Sequence, residues 1–414
     1  MSWLYSYVGV IALWLLILSL MLIFKRTRFF SFSLLFATGI FFIGLKFIEN
    51  IAPNSNKVYQ ASKKTSFIED TKNNNEVVLN ILPSSWLLRL DARGKDSLIT
   101  SEYREQIGGF LPLGSAPNVL TFYCAEDEGF ISYKTDRFGF RNANHLWENN
   151  MHDIIITGDS FAESACVKTS LQEYFDPSKR IVSLGKGGNG PLTSLAVMTE
   201  YLEAYSPRVI YHLIVRNDYA RPKNHGLDID LEREWEDTQL QKYLKNPEFN
   251  IGYFNSLDLS LLRKFAIRYS KQAVNKKNFE KKSLIIRIAN IFSFNFMRKQ
   301  TLLLRDKLSG GVNIKMRLID KHKLLNVYKA MVTKTNQKNT QIRFVILPAK
   351  SYCTSDEAHK YITDIFKAIE LNPLDLTFEL CDTKFFSFNG NHFNSDGYKK
   401  LAEMITLDFL SLKK

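Results

Sequence analysis

The sequence predicts an α/β protein: a three-layer α/β/α domain on a five-stranded parallel sheet, preceded by two transmembrane helices. Three observations lead there. Between residues 151 and 411, short runs rich in Ile, Val, Leu and Phe alternate with longer segments of helical periodicity. The short runs are apolar on both faces, as parallel strands covered by helices on both sides must be. Two long uncharged stretches stand apart at the amino terminus.

Trp3 to Phe24 are 22 residues without a charge, and Phe29 to Leu45 are 17 more. A hydrocarbon core of about 30 Å takes roughly 20 apolar residues in a helix, so spans at about 3–24 and 29–48 form a hairpin over residues 1–50. Neither stretch has the polar face of a buried core helix. No charge precedes the first run and no small-residue cleavage site follows it, which argues against a signal peptide. Lys25, Arg26 and Arg28 lie between the spans. That placement puts the short loop in the cytoplasm and everything after residue 50 outside. The expected location is the cell (inner) membrane, with the large domain on the extracytoplasmic side.

Residues 51–80 are polar and read as a linker, and 81–414 as the extracytoplasmic domain. From 81 to 150 the pattern is irregular, ending in the short alternating stretch YKTDRFGFRN. The regular part then begins. HDIIIT (152–157) is the first strand, its isoleucines stiff at χ1 and suited to a buried sheet. LQEYF (171–175) begins a short helix and RIVSLG (180–185) is the second strand. PLTSLAVMTEYLEAY (191–205) is a helix with Pro191 in its first turn, where a missing N–H costs nothing. RVIYHLIV (208–215) is the third strand, followed by a basic helical insertion at about 219–316. MRLIDKHKLLNVYKAMVTKT (316–335) is an amphipathic helix and QIRFVILPA (341–349) the fourth strand. DEAHKYITDIFKAIE (356–370) is a helix, LTFELC (376–381) the fifth strand, and NSDGYKKLAEMITLDFL (394–410) the last helix.

The net charge of +13 is local. Residues 251–330 carry 18 Lys and Arg against 4 Asp and Glu, so the rest of the chain is close to neutral. Because the topology places that segment outside the cytoplasm, nucleic acid is not an expected partner. The basic segment reads as a solvated helical face, with anionic headgroups as the competing partner for a membrane-tethered domain. Four cysteines, Cys124, Cys166, Cys353 and Cys381, form no CxxC and lack His in ligand spacing, so neither a metal nor a cofactor is expected. Cys353 follows the fourth strand and Cys381 ends the fifth. A disulfide between them is the alternative to two buried thiols.

Open parallel sheets place chemistry at the carboxyl ends of their strands. Four loops meet that rim. The first carries Gly158-Asp159-Ser160 and the second SLGKGGNGP, which contains Gly188. The third carries Arg216-Asn217-Asp218, and the last FFSFNGNHFNSDGY, which contains His392. A hydroxyl, an imidazole and N–H donors at one edge are what acyl transfer needs: a nucleophile, a base, and stabilisation of the charged carbonyl oxygen.

In these four blocks, taken in order, the chain resembles the SGNH (GDSL-type) hydrolases, over roughly residues 130–410 and most nearly their membrane-anchored bacterial envelope members. The approach DRFGFRN is similar as well. The resemblance implies Ser160 as nucleophile and His392 as general base. Gly188 and Asn217, with the Ser160 N–H, would form the oxyanion hole. The family's acid usually stands three residues before the histidine, and here that position is Asn389. An amide can orient an imidazole but lends it no full charge. Asp382 and Asp396 are the candidates to replace it.

The expected function is thus a serine esterase or O-acyltransferase acting on an ester, with O-acetyl groups of an envelope glycan as the substrate that family and compartment imply. Two other readings stand beside it. Asn389 keeps open a glycan-binding member without turnover, and the basic insertion a scaffold that engages envelope-assembly proteins.

Overall fold

A computed structural model of the chain describes residues 77–79, 113–126, 128–222, 234–264, 267, 316–350, 357–388 and 391–412. The chain divides into two units, Met1–Ser62 and Lys63–Lys414, and all described residues lie in the second. The two expected spans and the linker to residue 76 lie outside the described residues. Among the described residues no helix is long and apolar enough to cross a membrane.

The core is a parallel sheet of five strands. β4 (Met151–Thr157) lies between β5 (Ile181–Ser183), at one edge, and the central strand β6 (Ser206–Ile214). β9 (Gln341–Ile346) pairs with β6, and β10 (Leu374–Asp375) closes the far edge. The order β10-β9-β6-β4-β5 has a consequence for function. The chain leaves β4 for one neighbour, β5, and then crosses to the other, β6. The carboxyl ends of β4 and β6 therefore flank the switch point, the crevice where open α/β sheets bind ligands.

Alternate residues of β4 serve two cores, as a period of two requires. Ile155 packs with Val182, Ile210 and Ile346 under α1 (Pro191–Ala204), α3 (Lys321–Gln337) and α4 (Glu357–Ala368). Ile154 and Ile156 face the opposite side, with Val209, Tyr211 and Val345 against α5 (Ser395–Ser411). Each fully buried Ile is worth about 1.5–3 kcal/mol of transfer free energy, and these side chains hold three layers together. α1 is buried nearly all round because α3 and α2 (Thr238–Lys245) cover what the sheet leaves.

Two expected elements are corrected. Met316–Leu318 does not open a helix: as β8 it pairs antiparallel with β7 (Ala220–Pro222). α3 starts only after Asp320, whose carboxylate accepts the Lys323 N–H at its amino end. The ribbon closes the base of the insertion, whose residues 223–233, 265, 266 and 268–315 lie outside the described residues. The fifth strand precedes LTFELC. Asp375 Oδ1 accepts the Thr377 N–H at 3.0 Å, a side-chain turn that ends the strand, and Leu376 and Leu380 are buried at helical spacing.

The stretch before β4 is ordered by its own motif. β2 (Leu120–Glu126) and β3 (Gly129–Lys134) form an antiparallel hairpin, with β1 (Val77–Leu79) parallel to β2. In DRFGFRN, buried Asp136 accepts the N–H groups of Phe138 and Phe140, the Asn142 amide and the Trp147 indole. Asn142 exchanges two bonds with the backbone of Ser183 on β5. Arg141 donates to the carbonyls of Ser164, Val167 and Lys168 in the loop after Ser160. The motif is a bracket that fixes the hairpin against the rim.

Candidate active site

β4 runs out at Thr157, and Gly158 turns the chain at a φ of +141°. A Cβ there would lie 2.8 Å from the Leu213 carbonyl oxygen of β6, so only glycine permits this close approach. A helical turn follows, with Glu163 N–H bonded to Asp159 O at 3.0 Å and Ala165 N–H to Ser160 O at 2.9 Å. It displays Ser160, half-buried, at the rim.

His392 reaches Ser160 from the loop before α5. Its Nε2 lies 3.0 Å from Ser160 Oγ. That loop is braced: the Ser387 N–H donates to the His392 carbonyl, and Lys350 Nζ donates to the carbonyls of Ser387 and Phe388. Phe161 lies against the imidazole with ring centroids 5.3 Å apart.

The carboxylate on the other side of His392 is that of Glu126, at the end of β2. Its Oε1 lies 2.8 Å from His392 Nδ1 and accepts the Asn391 N–H at 3.3 Å. Burial pushes the Glu126 pKa up, but the hydrogen bond and charge of His392, with Ser387 and Asn391, outweigh it and hold the carboxyl below its ordinary value. An ionised carboxylate only accepts, so the imidazole proton belongs on Nδ1 and the Nε2 lone pair faces the serine. Glu128, across the same hairpin turn, accepts the Lys168 N–H and the Ser395 hydroxyl, tying the turn to both the serine loop and α5.

This arrangement corrects the expected acid. Asp382 caps a short helical turn at Thr383–Phe385 and pairs with Lys384, and Asp396 is exposed in the first turn of α5. Neither is bonded to His392. Asn389 lies outside the described residues. Glu126 is far from the histidine in sequence, in the region that lacked periodicity. Its one local signal is the acidic tip Glu126-Asp127-Glu128 preceding Gly129, an ordinary turn composition.

Of the other expected residues, Asn217 lies beside the serine turn. Asn217, in the helical turn after β6, donates from Nδ2 to Asp159 Oδ2 at 3.0 Å. The same Asp159 oxygen is 3.3 Å from Ser160 Oγ. Gly188 has a φ of +83° and stands exposed in the loop after β5, where the Asn189 N–H closes a turn onto the Lys186 carbonyl. Two other histidines belong to the core. His212 on β6 takes a 3.0 Å bond with Thr157, and burial lowers its pKa to about 3. His152 is bonded to Tyr201 and the Leu146 carbonyl.

Glu126, Cys166 and His392 offer three ligand atoms within 4.8 Å. Cys166 is disulfide-bonded, however, and so provides no thiolate for a metal. Its sulfur instead packs 3.4 Å from His392 Nδ1. Cys381 is disulfide-bonded too. Cys353, its expected partner, lies outside the described residues.

A serine hydroxyl, an imidazole and a carboxylate, bonded in series, lie at the switch point of a three-layer α/β/α sheet. No family model and no curated protein matches the chain. Solved structures do. One, provisionally described as an acylhydrolase, from Bacteroides fragilis, aligns at TM-score 0.32 and 9% identity over 65% of this chain and 90% of its own. A second, provisionally described as a platelet activating factor, from Streptococcus pneumonia, aligns at 0.33 and 15%, over 64% and 88%. A GDSL-like lipase from Bacteroides thetaiotaomicron aligns at 0.31 and 7%, over 66% and 91%.

Proposed function

We propose that the chain is an SGNH-type serine esterase or O-acyltransferase, anchored in the membrane with its catalytic domain on the extracytoplasmic side. The observation that carries the reading is His392, seated between Ser160 Oγ at 3.0 Å and Glu126 Oε1 at 2.8 Å. In the first step His392 Nε2 takes the Ser160 proton as Oγ attacks the ester carbonyl. Glu126 stabilises the imidazolium that results. The backbone N–H groups of Ser160 and Gly188 and the Asn217 amide receive the charge on the carbonyl oxygen. The imidazolium then protonates the departing alcohol, and water or an acceptor hydroxyl releases the acyl group by the reverse route.

The two uncharged stretches at 3–24 and 29–48 and the basic loop between them support the anchor. Disulfide bonding of Cys166 and Cys381 fits an oxidising compartment. That compartment makes O-acetyl groups of an envelope glycan the substrate class to try first. The reading as a binding module without turnover rested on Asn389, and a carboxylate on His392 Nδ1 removes its motive.

The test is turnover of p-nitrophenyl acetate, and labelling by a fluorophosphonate, with wild type and Ser160→Ala. Wild type should hydrolyse the ester and take the label, and the variant should do neither. A variant that still hydrolyses would remove the acyl-enzyme mechanism.

A further inference from the structure

Behind the loop that carries Gly188 lies a sealed ion pair. Glu163 and Lys186 have side chains only 2% and 1% exposed, with Lys186 Nζ 3.2 Å from Glu163 Oε1. The same oxygen accepts the Tyr133 hydroxyl at 2.6 Å, and Oε2 accepts the Gly187 N–H at 2.6 Å. Glu163 belongs to the helical turn that displays Ser160, and Gly187 directly precedes Gly188. One carboxylate thus joins the nucleophile turn to the glycine loop. The contact is tight along its length. A Cβ on Gly185 would fall 2.4 Å from the backbone of Ala162 and Glu163, and Ser183 Oγ bridges the Ala162 carbonyl and the Gly185 N–H.

A buried pair of this kind is a poor device for stability, since apolar residues of similar volume usually do as well or better. Its bonds point to a different use. Glu163 holds the Gly187 N–H, and the next residue, Gly188, takes a positive φ and stands exposed in the loop. We infer that Glu163 is a positioning residue for the oxyanion hole, anchoring the Gly187 amide so that the Gly188 N–H is preorganised, with Lys186 as its charge partner. The inference rests on the proposed acyl-transfer chemistry and adds to it the element that sets the donor geometry. Lys186 and the Gly187 N–H, with Tyr133, hold the Glu163 carboxyl below its ordinary pKa although burial alone would raise it.

Two double variants of the full chain in detergent, assayed on p-nitrophenyl acetate, isolate the anchor. Glu163→Gln with Lys186→Met removes both charges but leaves an amide oxygen for the Gly187 N–H. Glu163→Met with Lys186→Met removes the acceptor as well. Removing one oxyanion donor costs about 10²–10³ in kcat, so the Met/Met variant should lose about 100-fold in kcat with KM little changed. The Gln/Met variant should keep kcat within about tenfold of wild type. Both should keep the wild-type circular dichroism and pH profile. Equal kcat in the two variants would overturn the inference. Should neither fold, Glu163→Asp keeps the charge and withdraws the carboxylate by one methylene. Its kcat should fall while KM holds, and an unchanged kcat would overturn the inference just as well. Wild type that fails to turn over the ester would instead strike the proposed chemistry itself, so the two failures are distinct.

Discussion

Glu126, bonded to His392, and Glu163, within the serine turn itself, are both held below the ordinary carboxylate pKa, in opposite surroundings. Glu126 ends a hairpin strand, is partly open to solvent, and bonds a ring whose charge changes in the proposed mechanism. Glu163 is sealed and bonds groups that stay as they are: an ammonium, a phenol and a peptide N–H. The first must respond to a proton that comes and goes. The second must not respond at all. The same side chain serves as electrostatic partner or as fixed strut according to whether its neighbours titrate and whether water reaches it. The hairpin supplies both arrangements, Glu126 from the end of β2 and Tyr133 from β3.

Four perturbations break or sharpen this contrast. The largest effect belongs to Glu126→Gln. In a well-studied serine protease the equivalent acid-to-amide change costs about 10⁴ in kcat through the wrong imidazole tautomer. We expect a loss of about 10³–10⁴ here, with KM nearly constant in steady-state assays. Asn389→Asp should change kcat by less than about threefold, because Nδ1 already has its carboxylate. A large gain from Asn389→Asp would place the acid elsewhere. Next is Asn217→Ala, which removes an amide donor bonded to Asp159 beside the serine. It should lower kcat about 10²–10³-fold and, unlike Glu126→Gln, leave the pH profile in place.

The smallest effect concerns Glu234, a buried carboxylate that accepts the Thr193 N–H at the start of α1, just after the glycine loop. Burial raises its pKa to about 7 against hydrogen bonds that lower it. The folded state therefore holds this proton more tightly than the unfolded state. The associated stability is complete below about pH 4.5 and is lost as pH rises through about 7. Thermal melts should show the wild-type Tm falling by a few degrees over that range, and Glu234→Gln should flatten the slope. Parallel slopes would exclude Glu234 as its source.

What was legible in the sequence was what is local. The isoleucines of β4, the Gly-Asp-Ser turn and the glycine loop each occupy a handful of consecutive residues, and a parallel sheet brings such strand ends together automatically. Asn217 and His392 were readable for that reason. Glu126 was not, because it arrives from an antiparallel hairpin outside the sheet, 266 residues from the histidine it serves. No strand alternation in the main domain points to it. Glu163 was hidden differently. It stands in plain view three residues after Ser160, but only the fold reveals that its carboxylate meets the Gly187 N–H. LTFELC misled because its leucines fit a strand's composition while Asp375 starts a turn.

The central claim is that Glu126 accepts the Nδ1 proton of His392, leaving Nε2 bare toward Ser160. Nitrogen chemical shifts of the protein selectively labelled with ¹⁵N-histidine, assigned by loss of the signal in His392→Ala, test it most directly. The account predicts the Nδ1–H tautomer for neutral His392 in wild type, and its loss as the dominant form in Glu126→Gln. An Nε2–H tautomer in wild type, or one that Glu126→Gln leaves unchanged, would contradict it.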